Sequence, residues 1–286
     1  MSAGERIPGG VSFRHSHDIA IQSCAFVHLG GGGLDIFDGC QHFTIVGNRF
    51  DDISGSGIQV GSANDPQRND VRLRESSLSI RNNYLHNTTC EYHGGCAITV
   101  VFGADMDISH NEIAHCSYTG ISVGWGWGSN AVSFACSNRI NFNNIHHYAE
   151  ALTDQGGIYT LGSQPGSEIA GNYIHHQVLL NWEHGGAIYP DDGSQHFDIH
   201  HNVLDETGAW IFMWCPAVRD LNVHHNFSNT PRMLNAGSNI TLTNNDSFIT
   251  ASNWPPMARR IINRAGLEPA YSAVTKLHDC CGLSQP

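Results

Sequence analysis

Aliphatic and polar positions recur along this chain in two short phrases. The first reads aliphatic, two residues, asparagine. It pairs Ile45 with Asn48, Ile80 with Asn83, Ile108 with Asn111, Ile140 with Asn143, Ile169 with Asn172, Ile199 with Asn202, Val223 with Asn226 and Leu242 with Asn245. A weaker ninth copy places Cys24 after Ile21. The asparagines step by 35, 28, 32, 29, 30, 24 and 19 residues. A repeat of that length predicts a solenoid whose units stack on their neighbours. The second phrase, small–Ile–x–Val–Gly or a variant, centres on Ile58, Ile98, Ile121, Ile158 and Ile188. Aliphatics there alternate with polar or aromatic residues, the period of a strand, and no helical period intervenes before the C-terminus. Short strands joined by Gly, Asn, Asp and Ser predict an all-β fold, a parallel β-helix of about nine coils over residues 1–254.

The asparagine is expected at a tight bend, in a left-handed conformation, with its amide stacked on those of adjacent coils about 4.8 Å away. His115, His147 and His176 each follow a ladder asparagine by four residues and should form a column, as should His200 with His224 and His201 with His225. Such columns can hold metal. Stacked neutral imidazoles are the reading preferred here, and no metal ligand is assigned.

From Pro255 the repeat stops. Residues 257–265 and 269–277 read as two short helices broken by Gly266 and Pro269, so residues 255–286 are expected to be a capping segment over the last coil, not an independent domain. The N-terminal side enters directly at the strand-like Val11-Ser12-Phe13, without an evident polar cap on the first coil.

Net charge is −12, with 14 Lys and Arg and no basic run, which argues against nucleic acid. No apolar stretch reaches membrane-spanning length, and the opening residues do not read as a signal peptide, so localisation is left open. Of nine cysteines, Cys90 with Cys96 and Cys280 with Cys281 could restrain a loop and the tail, while others read as core.

Two consecutive coils break the pattern in a related way. Aligning Ile158 with Ile188 stacks Tyr159 on Tyr189, both outward. Acids flank this pair: Asp154 and Glu183 before the strand, Asp191 and Asp192 after it. Trp125, Trp127, Trp182, His184, Trp210 and Trp214 fall in the same few coils. Aromatic faces cover sugar rings, and paired carboxylates supply general acid with base or nucleophile. Exposed acids and turn-capping Asp are ordinary; it is their gathering in adjacent coils that points to an oligo- or polysaccharide site. A straight strand would hold Asp154 and Asp191 about 20 Å apart, so the reading needs the Asp154-Gln155-Gly156-Gly157 segment to turn back.

The phrases Asp-x-Gly-Gly-Ile-Tyr-Thr-Leu-Gly from Asp154 and Gly-Ala-Ile-Tyr-Pro-Asp-Asp-Gly from Gly186 resemble the right-handed parallel β-helix glycoside hydrolases, α-L-fucosidase-like and endo-xylanase-like members among them. The tail from Arg260 to Tyr271 is similar to theirs. The resemblance implies a right-handed helix, hydrolysis of O-glycosyl bonds without a cofactor, and Asp154 and Asp191 as the two acids, with Asp192 as helper; Glu183 is the alternate partner of Asp154 if the Asp154–Gly157 segment stays straight. Pro190 and the absence of early N-terminal coils depart from that pattern. Two other readings remain open. A polysaccharide lyase would need Arg or Lys, or calcium recruited by Asp191 and Asp192; Lys276 is the one lysine, and no arginine lies between 140 and 218. A non-catalytic carbohydrate-binding solenoid would explain the tryptophans but not the acids.

Overall fold

The computed structural model describes residues 7–64, 68–127, 133–180, 184–250 and 253–276. Trp182, Glu183, Cys280 and Cys281 lie outside the described residues. Among the described residues the strands form three long parallel sheets that wind as one solenoid. The first runs from Gly9–Arg14 to Gly185–Pro190, the second from His17–Gln22 to Ser238–Thr243, the third from Ala25–Leu29 to Phe227–Ser228.

Register follows the two sequence phrases. In the second sheet Ile21, Ile45, Ile80, Ile108, Ile140, Ile169, Ile199, Val223 and Leu242 form one row. In the first, Leu34, Ile58, Ile98, Ile121, Ile158 and Ile188 form another, fully buried. Both rows point into a continuous apolar core, where each buried aliphatic contributes roughly 1.5–3 kcal/mol. The small residue before each Ile of the second phrase also has a reason. A Cβ on Gly157 would stand 2.4 Å from Ile174 Cγ2 of the third sheet. That corner is too narrow for a larger group at the coil of Gly157, and Ala187 fills it in the next coil with no exposure.

The asparagines form the ladder that the spacing predicts. Each Nδ2 donates to Oδ1 of the next, from Asn48 to Asn245, at 2.9–3.0 Å. Each also donates to the backbone oxygen of the inward aliphatic one coil back, as Asn143 does to Ile108 at 2.9 Å. Cys24 occupies the ladder's first place, its backbone N–H donating to Asn48 Oδ1 at 3.0 Å. The left-handed bend is one residue earlier than expected: Gly47, Asn82, His110, Phe142, Gly171, His201, His225 and Asn244 carry φ of 52° to 68°. This turn swings the following asparagine into the interior, where its amide replaces backbone partners that the corner would otherwise leave unmet.

The histidine columns form as expected. His147 lies over His176 at 5.2 Å and 13°, His200 over His224 at 4.9 Å and 8°, and His201 over His225 at 5.2 Å and 4°, with His115 tilted 30° at the head of the first. Cys90 and Cys96 are free thiols. Cys96 starts a strand and is buried, which pushes its thiol up to about 11.

The C-terminal cap consists of an α-helix, Pro256–Ile262, and a 3-10 segment, Pro269–Lys276. It does not lie over the last coil, whose strand Ser238–Thr243 stays largely exposed, but along the side of the solenoid. Trp254, Ala258 and Ile261 pack with Val203 and Ile249 against the outside of the third sheet. The chain then runs back along the solenoid. The Gly266 N–H donates to the Phe142 carbonyl at 2.8 Å, and His110 Nδ1 meets the Gly266 carbonyl at 3.1 Å. Glu268 and Asn82 exchange two hydrogen bonds of 2.9 Å. Tyr271 lies over Gly47, where a Cβ would stand 3.0 Å from the ring.

Candidate functional site

The first sheet brings Tyr159 and Tyr189 into register as neighbours, their rings 5.0 Å apart and 76° inclined. They lie outside the solenoid core, in a small separate cluster with Leu161, Ala209 and Phe212. The rings are covered and the hydroxyls reach carboxylates crosswise. Tyr189 of the second coil donates to Asp154 Oδ1 of the first at 3.0 Å. Tyr159 of the first coil donates to Asp191 Oδ2 of the second. Asp154 does not continue a straight strand: it has φ of +60° just before strand Gln155–Thr160, and its N–H donates to the His184 carbonyl at 3.2 Å. The long tyrosine side chains thus tie together two acids that a straight reading of the sequence separates.

The two acids differ in environment. Asp191 is 3% exposed at the end of strand Gly185–Pro190, while Asp154 is exposed. Burial raises the Asp191 pKa from its ordinary value of 3.8, and the Asp154 charge raises it further. Hydrogen bonds from Tyr159, the Trp214 indole and the Asp192 N–H oppose this without cancelling it. Burial, followed by the nearby carboxylates, raises Tyr159 and Tyr189 far above the ordinary phenol range, so both remain donors.

Around this centre Trp127 is 54% exposed and donates from Nε1 to the Tyr159 hydroxyl at 3.1 Å, with Trp125 edge-on at 5.0 Å. Trp214, 45% exposed, donates to Asp191 Oδ1. His184 meets Phe212 at 5.5 Å. Asp192 is half-buried, with its carboxylate turned toward Cys215 at 4.0 Å, and its backbone, not its side chain, bonds Asp191.

Trp210, expected among the binding aromatics, is placed elsewhere. It is 3% exposed and belongs to the interior core. Ile188 pairs with Ile211, so Trp210 takes the inward corner position of Ala187. The same register makes Phe212 the third ring of the outer column, 5.0 Å from Tyr189. Aligning Ile211 with Ile188 in the sequence would have found it. Tyr118 was also missed; its hydroxyl donates to the Asp154 carbonyl at 2.5 Å. It lies three residues before the aligned Ile121, where the phrase carries no signal.

One group of side chains away from this centre has metal-ligand character. His86, Glu112 and His146 bring ligand atoms within 4.8 Å of one another on the third sheet. Burial, then the charges of His146 and His115, lowers His86 to about 3 and keeps its imidazole neutral.

No protein-family model matches the chain, and no curated protein matches it. A solved structure titled "Glycoside hydrolase" superposes with a TM-score of 0.72 at 30% identity, over 91% of this chain and 40% of that one. The chain therefore spans less than half the length of the protein it matches. At this level of likeness the architecture is a right-handed parallel β-helix of glycoside-hydrolase-like fold.

Proposed function

We propose that this chain hydrolyses glycosidic bonds of an oligo- or polysaccharide, with Asp154 and Asp191 as the working carboxylates. The observation that carries the reading is the crosswise Tyr–Asp arrangement, which draws the two acids into one site while giving them opposite environments. A buried carboxyl group with a raised pKa beside an exposed carboxyl group suits a general acid paired with a base or nucleophile. Asp191, buried and raised, holds the proton and delivers it to the leaving glycosidic oxygen as the C–O bond breaks. Asp154, exposed, takes the proton of an attacking water or itself attacks the anomeric carbon; the anomer first released decides between these. Trp127 and Trp214 expose aromatic faces beside the acids, as sugar platforms. Trp125 and His184 line the same approach.

The likeness to a glycoside hydrolase supports this class, and the local chemistry disfavours a lyase. The stretch that carries both acids, residues 140–218, holds no arginine or lysine to steady the carbanion that a lyase forms.

The test is hydrolysis of neutral glycans by the wild type, Asp154→Asn and Asp191→Asn. Reducing ends without unsaturated product are expected, and each variant should lose about 10²–10⁴-fold in turnover while melting near the wild type. Near-wild-type turnover of Asp191→Asn would reduce that residue to a turn-capping role. Calcium-dependent unsaturated product from uronate polymers would replace the hydrolase with a lyase.

A further inference from the structure

We infer that His86, Glu112 and His146 form a binding site for a divalent transition-metal ion, zinc being the best fit, on the outer face of the third sheet. His86 and His146 flank Ala114 in register, one strand to either side. Ala114 carries only a methyl group, so a gap opens between the two imidazoles. Glu112 lies two residues before Ala114 on the same strand, and therefore on the same face, aimed at the gap. The three ligand atoms converge within 4.8 Å. His86 Nε2 is buried with no hydrogen-bond partner, an arrangement that costs free energy unless something fills the gap.

The surroundings fix these groups. Tyr84 stacks on His86 at 3.8 Å and 17°. Asn144 Nδ2 donates to both Glu112 oxygens, at 3.2 and 2.9 Å. His146 Nε2 lies 2.8 Å from Glu112 Oε1, and its Nδ1 lies 2.7 Å from His147 Nδ1. With an ion bound, His146 would donate its Nδ1 proton to His147, leaving Nε2 free to ligate, the outer-sphere support that ligand histidines ordinarily have. The tail closes over the site, since a Cβ on Gly266 would stand 2.9 Å from Glu112 Oε2. Two imidazoles and one carboxylate favour zinc over calcium or magnesium. Tetrahedral zinc holds its ligand atoms about 3.4 Å apart, so small ring rotations would close the present spacing. The site is on a different sheet from Asp154 and Asp191, and its role is to join strands of the third sheet beneath the tail.

The full chain, stripped with chelator and dialysed, would be titrated with Zn²⁺ against a chromophoric chelator and melted with and without the metal. One tight site and a higher Tm with Zn²⁺ are expected. Glu112→Gln, almost isosteric, and His86→Gln should each weaken that site by about tenfold or more and lose the Tm gain, while His200→Ala on a different column keeps both. Failure of the wild type to compete for Zn²⁺ would overturn the proposal. So would Glu112→Gln or His86→Gln variants that bind as tightly as the wild type. Neither readout uses hydrolysis, so the result is independent of the proposed glycosidase activity.

Discussion

Asp191 sits in a balance between burial, which disfavours its charge, and donors from Tyr159 and Trp214, which favour it. Removing one donor should tilt that balance in a known direction. In Tyr159→Phe the carboxylate loses a hydrogen bond made to its charged form, so its pKa rises further. If Asp191 is the proton donor, its acid form then persists to higher pH, and the alkaline limb of the kcat/KM profile moves up by roughly one pH unit. A shift confined to the acidic limb would instead make Asp191 the base. The pairing of Tyr159 with Tyr189 was legible in the sequence because both follow an inward isoleucine. The crosswise reach of their hydroxyls was not, because it depends on the φ of +60° at Asp154, a local bend that no periodicity encodes. Trp210 shows the converse: composition grouped it with the other tryptophans, but register sends it inward.

The ladder and the histidine columns are properties of a turn repeated from coil to coil. Asn143 is fully buried; its amide donates to Asn172 and Ile108, and its Oδ1 accepts from the Asn111 backbone and side chain. Asn143→Ala strands all of these partners, and a loss of about 3–5 kcal/mol is expected. Asn245→Ala, at the part-buried end of the ladder, should cost clearly less. Equal losses in urea melts would show that the ladder is not a cooperative unit. The columns respond to pH. His201 is lowered from 6.5 by burial, then by His200, His225 and His224. The unfolded chain therefore binds this proton more readily than the folded one. The contribution is full above about pH 6.5 and is lost as pH falls through the lower folded value. His201→Gln should flatten the acid side of the Tm–pH curve; an unchanged slope would remove this column from acid lability. These repeats were readable because asparagine and histidine recur at fixed offsets from the aliphatic rows. The one-residue shift of the left-handed bend escaped because Gly, Asn, His and Phe all occupy it.

A solenoid is nearly one-dimensional, since each coil touches only its neighbours and can come apart from an end. The C-terminal segment changes that connectivity. Its helix packs on Val203, Phe227 and Tyr173. Its later residues bond in turn to Phe142, His110 and Asn82 and lie over Gly47. Phe142, His110, Asn82 and Gly47 are themselves the left-handed residues before the ladder asparagines, so the tail follows the outside of the row of turns whose inside is the ladder. Pro255 and Gly266 announce a short helix and its end, but not this direction of travel, which is set by contacts with coils more than one hundred residues earlier. The span from Phe227 to Gly47 covers six coil steps, roughly 29 Å at the strand spacing. A strap of that length makes the opening of any one coil disturb contacts on several others. Truncation before Pro255 should therefore do more than remove the roughly 5 kcal/mol that burying residues such as Ile261 and Val274 provides. It should broaden the urea transition and lower its apparent m-value, as distant coils unfold independently. Glu268→Ala, which removes one of the two Asn82 hydrogen bonds and the Arg81 contact but leaves the rest of the strap, should leave the transition sharp. Hydrogen exchange would locate the effect, with coils near Asn82 and Asn226 protected to the same free energy in the full chain and to different ones without the strap. A truncated chain that melted earlier but as sharply as the intact one would make the tail a local cover instead of a coupling element.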